Sequence, residues 1–366
     1  MALPPMAGFT VAVTADRRRE EQVELLRRRG ADVIEGPSIR TMPLADDALL
    51  HRALDDLVAR PPQFTVLLTG LGVRSLLGAA ESMGRGEDVL DAITSSRVCA
   101  RGPKATGAAL TAGIEVEWRT VGDRSSELLD RLSGAAAGGA RIAVQRDGDA
   151  RPLLANALRA MGAEVIDLPV YEWSLPEDVG PAVRIVDAVC AGGVDAITFT
   201  SSPALRNLVA LAAHRRDALV DACNSKGVVV TCIGPVCADT ARSIGIADVV
   251  MPPRPRLGSM VLALASVLGT RRRTVALGGV NITLQGAMVV VGKDQVRLTD
   301  RERGVLHALA DAAGAVVTKP ALLQRVWDAS TDDEHTVEVT VGRLRRRLGR
   351  AGDAILTVPR RGYRLA

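Results

Sequence analysis

Residues 11–37, VAVTADRRREEQVELLRRRGADVIEGP, decide how this chain folds, because they return as residues 142–169, IAVQRDGDARPLLANALRAMGAEVIDLP. Each copy reads as a short apolar strand, a polar loop, a helix ending at a glycine, and a second apolar strand closed by proline. The repeat extends outward. FTVLLTGLGVRSLL from Phe64 parallels DAITFTSSPALRNLV from Asp195, each a buried strand, a small polar turn and a helix start. VCARGPKATGAALTAGI from Val98 parallels TCIGPVCADTARSIGI from Thr231, both with Gly-Pro between strand and helix. The offset is 131 residues from Val11 to Ile142 and again from Thr69 to Thr200. Strands alternating with helices predict α/β architecture, parallel sheets with helices on both faces, built as two lobes.

Composition bounds the class. The chain has 366 residues, 47% hydrophobic and 24% charged, enough for two or three soluble domains and unlike a disordered or fibrous chain. No apolar run approaches the ~20 residues of a membrane helix, and no signal peptide is visible at MALPPMAGF. Cys99, Cys190, Cys223, Cys232 and Cys237 are scattered and form no CxxC pair, so a reduced, cytoplasmic protein with no metal site is expected. Aromatic residues are only 2%, which argues against single-strand binding by base stacking.

Ligands of parallel α/β sheets sit at the carboxyl ends of the strands, over helix N-termini. There the sequence places Thr14, Arg17, Thr69, Arg101, Lys104, Arg146, Thr200, Ser201, Ser202 and Gly234, with the loop 146–151 between two of the elements. Hydroxyls, exposed backbone amides and arginines suit a ligand bearing several carboxylates or phosphates. Each position taken singly also reads as a helix cap, Ser202 before Pro203 above all. TGLG at 69–72 lacks the full dinucleotide fingerprint.

Charge separates the remaining quarter. Residues 1–269 carry 29 basic and 32 acidic side chains; residues 270–366 carry 17 and 10. The division is expected at 269–274, with a body over 1–269 and a basic module over 274–366. Short strands TVAL, NITL, AMVVV and QVRL predict a small antiparallel sheet. Thr299-Asp300-Arg301-Glu302 is a capping box opening a helix whose buried face is Val305, Leu306, Leu309 and Ala310. A second helix follows Thr318, and after a polar loop at 328–333 a third runs from Glu334 to Leu348. Its buried stripe is Val337, Val341, Leu344 and Leu348, and its other face offers Thr336, Thr340, Arg343, Arg346 and Arg347. Strands at 355–358 and 363–365 flank Pro359-Arg360-Arg361-Gly362. Three helices before a basic hairpin make a winged helix-turn-helix, which reads duplex DNA.

Two resemblances sharpen this. On its repeated order, TFTSSPALRNL, IGPVCA and Val170-Tyr171, the body resembles the uroporphyrinogen-III synthase family. That likeness implies one lobe from 9–37 and 176–268, another from 44–166, and a two-stranded ladder of 38–43 with 169–174. It implies cyclisation of hydroxymethylbilane, a linear tetrapyrrole with eight carboxylates, without metal or cofactor, and makes Tyr171 the catalytic helper. The family's Gly-Pro-x-Thr turn reads Gly234-Pro235-Val236-Cys237 here, and its Thr-Ser-x-Asn turn reads Thr69-Gly70-Leu71-Gly72.

On LTDRERGVLHAL, VVTKPALLQRVW, TVEVTVGRLRRRL and TVPRRGYRL, the module resembles the DNA-binding domain of OmpR/PhoB-type response regulators. The likeness places His335, Thr336, Thr340, Arg343 and Arg347 near bases or phosphates and Arg345 and Arg346 near the backbone. Arg360 and Arg361 would serve as the wing, since Pro359 takes the usual wing-arginine position. It also implies a homodimer on tandem half-sites. The acidic cluster of a receiver domain is missing. The main expectation is therefore a transcription regulator whose body senses a polyanionic small molecule or mediates contacts. A working synthase carrying a DNA-binding module, and a scaffold for protein partners, are the other readings.

Overall fold

The computed structural model describes residues 3–44, 48–121, 124–149, 152–225, 227–277, 279–327 and 333–366. Ala150 and Arg151 of the expected ligand loop, and residues 328–332 of the polar loop, lie outside them. Two compact units emerge, Met1–Ser38 with Asp178–Ala366, and Ile39–Glu177.

The first unit contains a sheet of five parallel strands in the order Val249–Val250, Val229–Cys232, Ala196–Phe199, Thr10–Val13, Asp32–Glu35. Side chains of successive strand residues leave on opposite faces. Val11 and Val13 therefore pack with Leu26, Val261 and Leu264, whereas Ala12 joins Ile185, Val186 and Leu208 on the other face. Both faces are covered, which is why these strands are apolar throughout.

The second unit has the same layout, in the order Trp118–Arg119, Arg97–Ala100, Phe64–Leu67, Arg141–Gln145, Glu164–Leu168, again all parallel. Arg40–Pro43 pairs antiparallel with Tyr171–Ser174, Pro43 opposite Tyr171. Thr10–Val13 and Arg141–Gln145, matched by the sequence repeat, hold equivalent places in their sheets. Each lies beside the second strand of its own copy and beside a strand from the other copy. Each sheet thus takes two strands from one repeat and three from the other.

The carboxy-terminal module belongs to the first unit. Its antiparallel sheet runs in sequence order through Arg273–Leu277, Val280–Gln285, Met288–Val291 and Asp294–Arg297. Helices Asp300–Asp311, Lys319–Trp327 and Glu334–Leu348 follow, then the hairpin Ile355–Val358 with Gly362–Leu365. Val305, Leu309, Leu322, Trp327, Val341, Leu344 and Tyr363 share one core. The expected capping box is present: Thr299 Oγ1 accepts the Glu302 amide while the Glu302 carboxylate accepts the Thr299 amide. Gly362 is required, because a Cβ there would lie 2.0 Å from the Val317 carbonyl oxygen.

The join at 270–272 is hydrogen-bonded rather than loose. The amides of Thr270, Arg271 and Arg272 donate to the carbonyls of Val267, Leu268 and Gly269. A seam then fixes the module to the first sheet. The Ala287 amide donates to Gly8 O at 2.7 Å, and the buried Gln285 amide group donates to the carbonyls of Pro4 and Ala7. Gly8 and Gly286, both at positive φ, let the backbones meet; a Cβ on Gly286 would lie 2.3 Å from Gly8 O. Among the described residues no helix is long and apolar enough to cross a membrane.

Candidate functional site

The helix Glu334–Leu348 starts from Asp333, a side-chain cap whose carboxylate accepts the His335 amide at 2.9 Å. Its inner stripe of Val337, Val341, Leu344 and Leu348 anchors it to the module core. That leaves His335, Thr336, Val339 and Arg343 along one outward stripe. These residues, with Thr299 and Arg301 from the first helix, line a surface groove of about 400 Å³. Arg343 is exposed and makes no hydrogen bond or ion pair among the described residues, so its guanidinium is available to an anion or a base edge. Arg301 lies with Cζ 5.7 Å from the centre of the Trp327 ring. Glu338 lies beside His335, and it is tied off. Lys319 Nζ donates to it at 2.6 Å, and that bond with His335 beside it holds its carboxyl below the usual glutamate range. Arg346 is exposed, with a 3.4 Å contact to Gly342 O. Arg360 and Arg361 are exposed at the hairpin tip, Arg360 in the left-handed region at φ 58.

Three of the expected DNA contacts have partners within the protein. Thr340 is buried and its hydroxyl donates to Thr336 O at 2.8 Å. Arg345 donates to Ile355 O and Thr357 Oγ1 and lies over the Tyr363 ring at 5.8 Å, so it braces the hairpin. Arg347 borders the groove, but its Nε sits 3.1 Å from the buried Glu302 carboxylate and its Nη1 donates to Arg297 O at 2.8 Å. Helical phase alone places all three among polar residues; the hairpin and the first helix decide their partners. Val339, 36% exposed in the middle of the stripe, was not singled out from sequence, nor was Arg301. The spacing 335, 339, 343 carried the signal for Val339.

In the second unit the strand order changes between Phe64–Leu67 and Arg141–Gln145, where a crevice is expected. Gln145 Oε1 accepts the Leu68 and Thr69 amides there, both at 3.1 Å. Gly72 has no room for a Cβ, which would lie 1.9 Å from Gln145 Nε2; the glycines of TGLG serve packing. Thr69 caps the helix Gly70–Ser82 by accepting the Gly72 amide. Tyr171 is 3% exposed; its hydroxyl donates to Asp147 O at 2.8 Å and lies 3.0 Å from Thr69 Oγ1. With the phenol proton on a backbone carbonyl, Tyr171 ties the Asp147 loop to the Thr69 turn.

A pocket of about 220 Å³ lies beside it, lined by Arg101, Ser125, Arg146, Asp147, Asp149 and Leu153 among others. Arg101 pairs with Asp147 at 2.9 Å and donates to Ser125 Oγ and Leu68 O. Arg146 donates to Asp149 O. Of these donors Arg101 is thus paired with an acid, and the pocket's volume lies below the roughly 300–1,000 Å³ usual for small-molecule sites. Lys104, on the helix that starts at Gly102, is exposed.

In the first sheet, Thr14 is not a ligand group in this structure. It is fully buried and its hydroxyl donates to Thr198 O at 2.9 Å. The cap of the next helix is Ser201, one residue earlier than expected, accepting the Ala204 amide; Ser202 Oγ donates to Val236 O. Gly234 is buried at the start of Pro235–Ile244. Arg17 is exposed, and Thr200 is half-buried. Cys237, where the family likeness has a hydroxyl, is buried, and its neighbour Cys232 and burial push its thiol up. Burial likewise pushes Cys99 to about 11 and Cys223 to about 12, so neither is a ready nucleophile. No cluster of metal-ligating side chains occurs among the described residues.

Comparison with known proteins matches two segments of the chain. Residues 20–262 match the family described as uroporphyrinogen-III synthase HemD, and residues 292–365 match transcriptional regulatory protein, C terminal. The body is 36% identical over 168 residues to a putative uroporphyrinogen-III synthase of Methanothermobacter thermautotrophicus, covering 46% of this chain and 65% of that protein. A stretch of 120 residues is 37% identical to the transcriptional regulatory protein CutR of Streptomyces coelicolor, 31% of this chain and 54% of that one. The chain therefore spans about half to two-thirds of these relatives' own lengths. A mutant uroporphyrinogen III synthase of Thermus thermophilus superposes with TM-score 0.61 at 28% identity, over 72% of this chain and 99% of that one. The chain belongs to the uroporphyrinogen-III synthase family and joins that two-sheet body to the carboxy-terminal domain of OmpR/PhoB-type transcriptional regulators.

Proposed function

We propose that this protein is a DNA-binding transcription regulator in which a synthase-like body serves as the sensing or interaction part. Arg343 carries the reading: an uncommitted guanidinium in the middle of an exposed helix stripe, beside a groove, on a module whose core needs none of that stripe. Seated in the major groove, the helix presents His335, Thr336 and Arg343 to base edges and Val339 to a thymine methyl. Arg346, Arg360 and Arg361 are exposed near its end and at the hairpin tip, where backbone phosphates or the minor groove would take them.

For the body, sensing is favoured over turnover because the Tyr171 hydroxyl is buried and its proton is spent on Asp147 O. The ligand class we assign is a polyanion of the linear tetrapyrrole kind. The test is duplex binding by the full chain, with and without hydroxymethylbilane. A shift in affinity supports sensing. Conversion of hydroxymethylbilane to the type-III macrocycle, slowed by Tyr171→Phe, would overturn it in favour of an enzyme.

A further inference from the structure

Two arginines of the carboxy-terminal module meet two aspartates at the amino ends of strands in the first sheet, and the two pairs differ in kind. Arg303 Nη1 lies 2.9 Å from Asp195 Oδ1, with side chains 17% and 11% exposed. The other Asp195 oxygen accepts the Thr10 amide at 2.8 Å, and Arg303 also reaches Gly192 O. That pair is an anchor, enclosed and fully committed. Arg297 Nη2 lies 2.5 Å from Asp32 Oδ2, with side chains 53% and 44% exposed. An exposed pair of this kind is held loosely, because water competes for both partners.

Arg297 also adjoins residues that line the surface groove. Its carbonyl accepts Arg347 Nη1 from the outward-facing helix, and Thr299 and Arg301, two and four residues on, line the groove. The main chain at Arg297 is thus tied to a groove-lining arginine while its guanidinium rests on a carboxylate of the synthase-like body. A carboxylate and a phosphate offer a guanidinium the same paired acceptor oxygens.

We propose that Arg297 is a ligand for the phosphate backbone of bound duplex, and that Asp32 competes with that phosphate for it. This rests on the DNA-binding reading above. The body then sets DNA affinity through a single carboxylate: with Asp32 on Arg297 the duplex must displace it, and with Asp32 withdrawn the duplex gains one more cation. The anchor at Asp195 keeps the module in place in both states.

The test is a double-mutant cycle on the full chain, read as affinity for a mixed-sequence duplex by fluorescence anisotropy across a salt series. Asp32→Asn should tighten binding about two- to fivefold. Arg297→Gln should weaken it and make the slope of log affinity against log salt shallower by about 0.9. In the Arg297→Gln background, Asp32→Asn should change nothing. Weaker or unaltered binding by Asp32→Asn would overturn the proposal. So would equal tightening with and without Arg297, since that is plain charge repulsion between Asp32 and DNA. Arg297 is exposed and Asp32 half-buried, and unchanged circular dichroism and melting of each variant exclude misfolding. Failure of the unmodified chain to bind any duplex would instead overturn the DNA-binding reading, and this proposal with it.

Discussion

Replacing Asp195 by Ala strikes the anchor of the carboxy-terminal module. Asp195 follows Val194 into the strand Ala196–Phe199, and its carboxylate holds both the Thr10 amide and Arg303. Removing one partner of a buried pair costs about 3–5 kcal/mol, because the other charge stays buried and unpaired. Arg303 keeps some solvent contact and a long bond to Gly192 O, which favours the lower end. The orphaned Thr10 amide adds about 1–3 kcal/mol of its own, but the two losses share one carboxylate and do not add. The expected loss is about 3 kcal/mol. For a unit of this size that lowers Tm by about 6–12 °C. Near-UV circular dichroism during heating reads it, with proteolysis at the 270–272 turn as a second measure. Asp195→Asn, which keeps an acceptor for Thr10, should lose less. A melt of Asp195→Ala within about 2 °C of the unmodified chain would refute this reading of the seam.

Other outcomes follow from the same geometry. Gly342→Ala should stabilise the protein by up to about 1 kcal/mol, since a Cβ there meets nothing within 4 Å and Ala is the better helix former; chemical denaturation checks it. His307 is half-buried beside Arg303 and Arg273, and burial first, then those charges, hold its imidazole below its ordinary 6.5 against the opposing pull of Asp311 and Asp195. The folded protein therefore takes up that proton later than the unfolded chain. Stability is flat above 6.5 and falls as the pH drops from there toward the folded value, and His307→Gln should flatten that part of a melting-versus-pH profile. Arg345→Ala should cost about 1–2 kcal/mol through the hairpin, by thermal melting, while leaving the salt slope of DNA binding unchanged.

Features written in neighbouring residues were legible in the sequence. The Thr299–Glu302 capping box, the buried face of Val305, Leu306 and Leu309, and the two-copy order of strands depend on local period and adjacent residues. Small hydroxyls were not legible in this way. Thr14, Thr69 and Thr340 sit at similar-looking turns or faces, yet Thr14 is sealed by Thr198 O from a strand 184 residues away, Thr340 bonds its own helix, and Thr69 caps one. The arginines of 343–347 look alike in sequence. Arg343 stays uncommitted, whereas the hairpin takes Arg345 and Glu302 takes Arg347. The acids that hold the module, Asp32 and Asp195, are 265 and 108 residues from their arginines, and no local pattern marks them.

Under the proposed function, the helix Glu334–Leu348 reads duplex DNA through its outward stripe. The most direct measurement is the affinity of the full chain for a duplex selected from a random pool, taken across a salt series for the unmodified chain and for Arg343→Ala. Log affinity should fall linearly with log salt, and Arg343→Ala should lose about 1–3 kcal/mol on the selected site. Equal affinity of the two chains, or no duplex binding at low salt, would contradict it.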